Sequence, residues 1–401
     1  MKNVILLTID TLRYDALGCY GDSQCSPFID SIQDRSIRFT KCQSVGPYTQ
    51  ASFPGILTSS YFLEYDGYPK LSPKATVVSE PIKQAGFTTA GFHSNPYLSA
   101  YFGWNRGWNV FYDSMADKVD EVNPYIKGNV INQKVDSWLG TYMAKDAGKP
   151  FFLWTHYMDV HEPYTPDPKY LHQIDSSLSF SSAEYMKLFK EVILPRDASD
   201  PATVELLKKL YMAHVIEVDE YARDFFGILQ KHGVLEDSIV IITSDHGDEF
   251  SEHGALSHDG KMYSELTHVP LIVFDPSLKE GRVCDDIVSG VDVPPTILNL
   301  FGIEKPPSYR GQFFLTTSDD VRADCYGECI GKLQHKMLPT DKPAYYFMDA
   351  QYKVIHRDDK DVWEIYDLEN DPKESRNLVD NLPQAEELKA KLSVIATRDK
   401  A

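Results

Sequence analysis

The chain has 401 residues, 42% of them apolar and 25% charged, enough for one large domain and a smaller one with a sizeable core. A formal charge of −19 argues against nucleic acid or an anionic membrane surface as a partner, because there is no basic excess to neutralise phosphates. No apolar run approaches a membrane span, and Asp10 interrupts the N-terminal one too early for a signal-peptide core. Six cysteines without zinc-site spacing read as reduced thiols, so a cytoplasmic enzyme is expected.

Residues 2–9 predict a buried strand, with Asp10 at its C-terminal end as a turn residue or a ligand. Ser26-Pro27 opens a short helix to residue 34, and a strand over 37–44 follows. Thr49 then stands where a helix begins, in Pro47-Tyr48-Thr49-Gln50-Ala51-Ser52-Phe53-Pro54. A hydroxyl there either caps the helix or, beside a helix N-terminus and a dication, has its alkoxide stabilised twice. A helix over 75–85, ended by Gly86, leads to a strand over 87–92. The aromatic and glycine-rich loop that follows reads as packing, with His93 and Arg106 as rim candidates. A helix over 126–144 precedes a strand over 151–156. Its His156 is expected in the core, Asp159 is a second metal ligand or a turn residue, and His161 follows. Residues 165–200 read as an irregular excursion lining a pocket. Residues 201–232 predict a long amphipathic helix in which Asp219 is structural.

The densest chemistry lies between two apolar runs, 238–243 and 269–274. There Ser244-Asp245-His246-Gly247-Asp248-Glu249 is followed by His253, His258 and His268. A loop at a strand's C-terminal end is where open α/β sheets hold ligands. Carboxylate oxygen and imidazole nitrogen suit Zn²⁺, Mn²⁺ and similar ions, whereas a solvated acidic loop is the bland alternative. A strand over 283–290 and a helix over 292–301 come next. Beyond residue 315 the pattern changes to short strands at 323–328, 344–348, 352–356 and 363–367, then a last helix.

These motifs carry a resemblance. Ser244 to Glu249, Glu252-His253-Gly254, His258-Asp259-Gly260, Tyr263-Ser264-Glu265 and Val269-Pro270-Leu271-Ile272 are similar to the sulfatase branch of the alkaline phosphatase superfamily. Tyr366-Asp367-Leu368, Asp371-Pro372 and Asn377-Leu378 extend the likeness over nearly the whole chain. It implies an α/β fold, a mixed central sheet flanked by helices with a small antiparallel α+β C-terminal subdomain packed on it. The implied boundaries are 1–314 for the catalytic domain and 315–401 for the subdomain.

The resemblance also implies a centre. Asp10, Thr49, Asp245 and His246 would hold one divalent ion (Mn, Zn, Ca or Mg). Many members carry a second Asp where this chain has Thr11, so Thr11, Asp159 and His253 stay open as second-metal or substrate contacts. Cys25-Ser26-Pro27 looks like the family's Cys-x-Pro-x-Arg nucleophile motif, but residue 29 is Ile and the segment matches an earlier helix; Cys25 is a decoy. Aligning Leu57-Thr58 on the family's Leu-Thr-Gly puts Thr49 in the nucleophile position, with Phe53 in place of the Arg and Ser52 in reserve. His161 matches a substrate-binding histidine, and His258, with Lys261 second, matches the group at the scissile bond. His268 stands where the family often has Arg and reads as structural.

The expected function is metal-dependent cleavage of a small anionic ester by Thr49, with phosphate diesters or phosphonate esters preferred over sulfate. The reason is that a formylglycine hydrate expels sulfate by collapsing to the aldehyde, an exit a threonine lacks. Alternatives are a sulfatase with an unmodified hydroxyl, a phospho-group transferase, or a non-enzymatic anion- or metal-binding protein. A homo-oligomer stays open.

Overall fold

In the computed structural model the described residues are 1–65, 70–119, 121–146, 148–315, 322–330 and 342–398. Ten strands precede the C-terminal region: β1 (Asn3–Ile9), β2 (Ser36–Gln43), β3 (Thr88–His93), β4 (Val110–Asp113), β5 (Phe151–Tyr157), β6 (Ser238–Ser244), β7 (Glu249–Phe250), β8 (Leu256–Ser257), β9 (Leu271–Phe274) and β10 (Arg282–Ser289). Eight of them form one mixed sheet in the order β10-β2-β9-β6-β1-β5-β3-β4, and β7 and β8 form a separate hairpin. Strand β1 is buried throughout. Its alternate side chains divide between two layers, as a sheet covered on both faces requires. Ile5, Leu7 and Ile9 pack with Val135, Leu139, Leu207 and Leu210 of the helices Gly128–Asp146 and Pro201–Lys231. Val4 and Leu6 pack with Phe53, Ile56, Ile297 and Leu298 of the helices Thr49–Thr58 and Val293–Leu300.

The C-terminal region forms a four-stranded antiparallel sheet of β11 (Asp324–Ile330), β12 (Pro343–Asp349), β13 (Tyr352–Arg357) and β14 (Val362–Asp367), covered by the helix Ala385–Arg398. The expected boundary at residue 315 adjoins residues outside the described set. Among the described residues, no helix is long and apolar enough to cross a membrane.

The sheet is mixed as expected, with strand β9 antiparallel between β2 and β6. Several other expectations change on inspection. The helix expected over 75–85 spans only Ser79–Gln84. The excursion over 165–200 is ordered, not irregular. It holds the helices Pro168–Ile174, capped by Asp167, and Ser182–Leu188, opened by a Ser181–Glu184 capping box. His93 is fully buried and lies flat against Trp154, while Arg106 donates to the carbonyls of Ser72 and Ala75. Neither forms a rim.

Asp219 is structural as expected: it accepts from the amides of Phe28 and Ile29 at 2.8 Å each. It thus serves as a remote cap for the helix Pro27–Ser31, whose own Ser26 makes no capping bond. Asp219→Ala should lower the unfolding free energy by about 1–2 kcal/mol, the range for a lost cap, measured as a shift in urea midpoint. An unchanged midpoint would remove the cap from the account.

Candidate metal and catalytic centre

Register builds the centre. Strands β1 and β6 are parallel with Ile9 opposite Ser244, so the residues that follow, Asp10 and Asp245, leave the sheet side by side. Ligand atoms of Asp10, Asp245 and His246 all lie within 4.8 Å of one another, and no other described trio of such residues does so. All three residues are fully buried. Asp10 Oδ1, Asp245 Oδ2 and His246 Nε2 have no hydrogen-bond partner. The bond between His246 Nδ1 and the Gly247 carbonyl at 2.9 Å puts the ring proton on Nδ1. Nε2 therefore turns a bare lone pair to Asp10 Oδ1 at 3.6 Å and Asp245 Oδ2 at 3.5 Å. Three electron-rich atoms with no proton among them, their other positions already engaged, fit a divalent cation. Asp245 Oδ1 accepts from the amides of His246 (2.9 Å) and Thr11 (3.3 Å). Asp10 Oδ2 accepts from Asn95 Nδ2 at 2.7 Å and lies 3.3 Å from His156 Nε2.

The electrostatics are those of a site built for positive charge. Burial, reinforced by the Asp10 charge, pushes Asp245 well above the usual carboxylate range. Burial raises Asp10 too, but the His156 contact and the charges of His161 and His246 outweigh it and hold Asp10 low. Burial depresses His246, keeping it in the neutral form a ligand needs.

Thr49 is the first residue of its helix, after an extended Tyr48. Its Oγ1 lies 3.4 Å from Asp10 Oδ2 and accepts from Asn95 Nδ2 at 3.2 Å. Ser52, the reserve nucleophile, donates instead to the Thr49 carbonyl at 3.2 Å. Asn95 is the site residue that sequence reasoning missed. Its one amide bridges Asp10 and Thr49, while its Oδ1 accepts from Tyr97 N at 2.9 Å. The available signal was a polar residue just beyond the C-terminal end of β3, the same place that Asp10 and Asp245 occupy on their strands.

Two further histidines, His258 and His161, gather beside this group. The His258 ring lies 4.5 Å from that of His246 and 4.9 Å from that of His161. His258 Nδ1 bonds to Asp248 Oδ1 at 2.8 Å, and Tyr164 donates to Asp248 Oδ2 at 2.6 Å. His161 Nδ1 donates to the Glu162 carbonyl at 2.6 Å. Burial lowers His161, but the charges of Asp10, Glu162 and Asp248 prevail and raise it. Burial and the neighbouring His246 and His161 push His258 well down. Opposite shifts on adjacent groups separate a proton donor from an acceptor.

Other candidates lie elsewhere. Lys261 Nζ is tied to Glu249 at 2.7 Å and to the His253 carbonyl at 3.1 Å. His253 bonds to Glu265 at 2.6 Å and stacks on Tyr263 at 3.6 Å. Asp159 accepts from the Gly128 amide at 2.8 Å, capping a helix, and burial with Glu217 raises it to about 7. Thr11 contributes its backbone amide, in the left-handed region at φ +55. Cys25 sits buried in the core. His268 stacks on Tyr14 and bonds to the Thr40 carbonyl at 2.8 Å.

The raised Asp245 has a consequence for metal-free protein. An acid whose folded pKa exceeds its unfolded value loses stability as pH rises through that interval. Asp245→Asn removes this cost, so in chelator near neutral pH the variant should melt above wild type. Added Mn²⁺ or Zn²⁺ should then raise the melting temperature of wild type only. A variant still stabilised by metal would overturn the ligand assignment.

Residues 2–303 match the Sulfatase family model, and residues 251–399 match the model for the C-terminal region of N-sulphoglucosamine sulphohydrolase. An N-acetylglucosamine-6-O-sulfatase of Bacteroides thetaiotaomicron is 22% identical, with 99% of this chain and 86% of that protein aligned. An arylsulfatase of Clostridium perfringens is 24% identical over 94% of this chain and 90% of that protein. Among solved structures, one in complex with its substrate D-glucosamine-2-N,6-O-disulfate superposes with TM-score 0.81 at 22% identity, covering 100% of this chain and 98% of that one. The phosphonate monoester hydrolase of Agrobacterium radiobacter superposes with TM-score 0.75 at 17% identity, covering 100% and 96%. With three quarters of its length matched by one family model, the chain belongs to the sulfatase family.

Proposed function

We propose that the protein hydrolyses a small anionic sulfuric ester at a divalent-cation centre held by Asp10, Asp245, His246 and Thr49. The observation that carries this reading is the convergence of three buried, unpartnered ligand atoms beside the Thr49 hydroxyl. The order of substrate classes expected from the sequence is reversed here. The curated relatives reported above are sulfatases by name, and the phosphonate monoester hydrolase is the more distant structural likeness. Phosphate or phosphonate esters become the second reading, supported by Thr49 itself, because phosphorus tolerates release of a threonine ester by direct attack. Neither the phospho-transfer alternative nor the non-enzymatic one has a structural observation of its own. All six cysteines are free, which supports a reducing compartment.

A dication bound there polarises the ester's nonbridging oxygens and stabilises alkoxide character on a coordinating hydroxyl. Thr49 Oγ1 forms a bond to sulfur while the bond from sulfur to the ester oxygen breaks. His258, neutral and held through Nδ1 by Asp248, takes the hydroxyl proton. His161 gives a proton to the leaving alkoxide, so the first half-reaction is proton-neutral. Water then attacks sulfur as His161, now neutral, takes one of its protons; the bond from sulfur to Thr49 Oγ1 breaks, Thr49 regains the proton held by His258, and hydrogen sulfate leaves, losing its last proton to solvent. Asn95 keeps Thr49 and Asp10 in register throughout.

His161→Ala should cut kcat/KM by about 10²–10⁴, the usual share of a general acid, with little change in melting temperature. Thr49→Ala should abolish turnover while leaving the fold intact. Matched aryl sulfate and aryl phosphodiester substrates decide the class: a higher kcat/KM for the phosphodiester, with a phosphorylated Thr49 peptide in the quenched digest, would replace the sulfuric ester reading by the second one.

A further inference from the structure

Far from the centre in sequence, Lys353 of β13 and Glu374, beyond β14, form an ion pair at 3.0 Å with both side chains fully buried. Such a pair is costly unless its remaining hydrogen-bonding capacity is satisfied. Lys353 Nζ also donates to Thr267 Oγ1 at 3.0 Å and Ser264 Oγ at 3.3 Å, and lies 5.2 Å from the Tyr346 ring. Glu374 accepts from Ser264 N at 2.6 Å and Ser264 Oγ at 2.9 Å. The pair thereby grips one short segment, the single turn Ser264–Thr267, whose preceding residue Tyr263 offers no side-chain cap.

That turn supports both halves of the centre. Its Leu266 carbonyl accepts from Gly247 N at 2.9 Å, directly after the ligand His246, and its Thr267 carbonyl accepts from Ser44 N at 2.7 Å. Ser44 Oγ donates to the carbonyl of the ligand Asp245. A Cβ on Gly247 would meet the Glu265 carbonyl oxygen at 2.1 Å, so at Gly247 the loop and the turn meet backbone to backbone. The same C-terminal sheet reaches the Thr49 side: Tyr346 OH donates to the Ser44 carbonyl at 2.6 Å, Glu328 N to the Val45 carbonyl at 2.8 Å, and Ile330 N to Tyr48 OH at 3.1 Å.

We infer that Lys353 and Glu374 are positioning residues: through the turn Ser264–Thr267 they let the C-terminal sheet fix the spacing of Asp245 and His246 against Asp10 and Thr49. The inference rests on the cation-centre reading above. In the full chain, Lys353→Met alone strands the Glu374 charge and should lower the melting temperature. The double variant Lys353→Met/Glu374→Leu removes both charges and should recover much of it. Its Mn²⁺ affinity by calorimetric titration should nevertheless stay about 10–100-fold below wild type, the range for lost outer-shell support, and the Gly247 amide should exchange faster. Ser264→Ala leaves the ion pair intact but removes two of its four hydrogen bonds to the turn, those through Ser264 Oγ; it should weaken Mn²⁺ binding with little change in melting temperature, which keeps the test valid if the double variant does not fold. Asp219→Ala is the control, less stable but with wild-type Mn²⁺ affinity. Wild-type Mn²⁺ affinity and Gly247 exchange in the Ser264 and double variants would overturn the inference. If wild type itself binds no dication, the centre reading fails, and Gly247 exchange still decides the role of the pair.

Discussion

The structure depends on one unresolved attraction. Two carboxyl groups and a bare imidazole nitrogen are buried face to face, and their facing atoms have no hydrogen-bond partner. In a low-dielectric interior such an arrangement opposes folding unless a positive charge completes it. The protein distributes the strain unequally. Asp10 is surrounded by His156, Asn95 and His161 and stays ionised, whereas Asp245 has two backbone amides and a hostile neighbour and is pushed up. Asp10 is thus the carboxylate that its surroundings favour as an anion, and Asp245 the one that burial disfavours.

The first thing that positions these groups is a set of parallel strands ending together. Asp10, Thr49, Asn95, His161 and Asp245 follow β1, β2, β3, β5 and β6, neighbours or near neighbours in one sheet. Each strand is held in register by its neighbours, so residues as far apart in sequence as Asp10 and Asp245 come together at one edge of the sheet. The helix Thr49–Thr58 adds its N-terminus to the same edge, where its free amides favour negative charge.

What could be read from sequence was what repeats a local rule. Continuous apolar runs gave the central strands, and Asp245-His246 at the end of one gave a candidate ligand pair that the structure brings beside Asp10. Thr49 needed the resemblance, since a hydroxyl at a helix start is ordinarily only a cap. Asn95 was hidden because an amide after a strand carries no chemistry until the geometry shows what it bridges. Lys353 was hidden for the opposite reason. In a strand reading Tyr-Lys-Val-Ile-His-Arg a lysine suggests a solvated face, and only the tertiary partner Glu374 explains its complete burial. The 165–200 segment was misread because its caps, Asp167 and Ser181, sit among turn-forming residues that locally favour a loop.

Phe53 bears on the chemistry as much as any polar residue. It stands one helical turn beyond Thr49, where the resemblance leads one to look for an Arg. Its ring is fully buried, 5.0 Å from His156 edge to face and 5.9 Å from Trp154. An aromatic there fills the core beneath the nucleophile with apolar surface and removes a positive charge from its neighbourhood. If Thr49 attacks as proposed, charge developing on its Oγ1 would be met by the helix N-terminus, by Asn95 and by a cation held on Asp10, Asp245 and His246. Of these the dication is the strongest. Under the proposed function, Phe in place of Arg would leave a bound ion, rather than a fixed side chain, to stabilise the attacking oxygen.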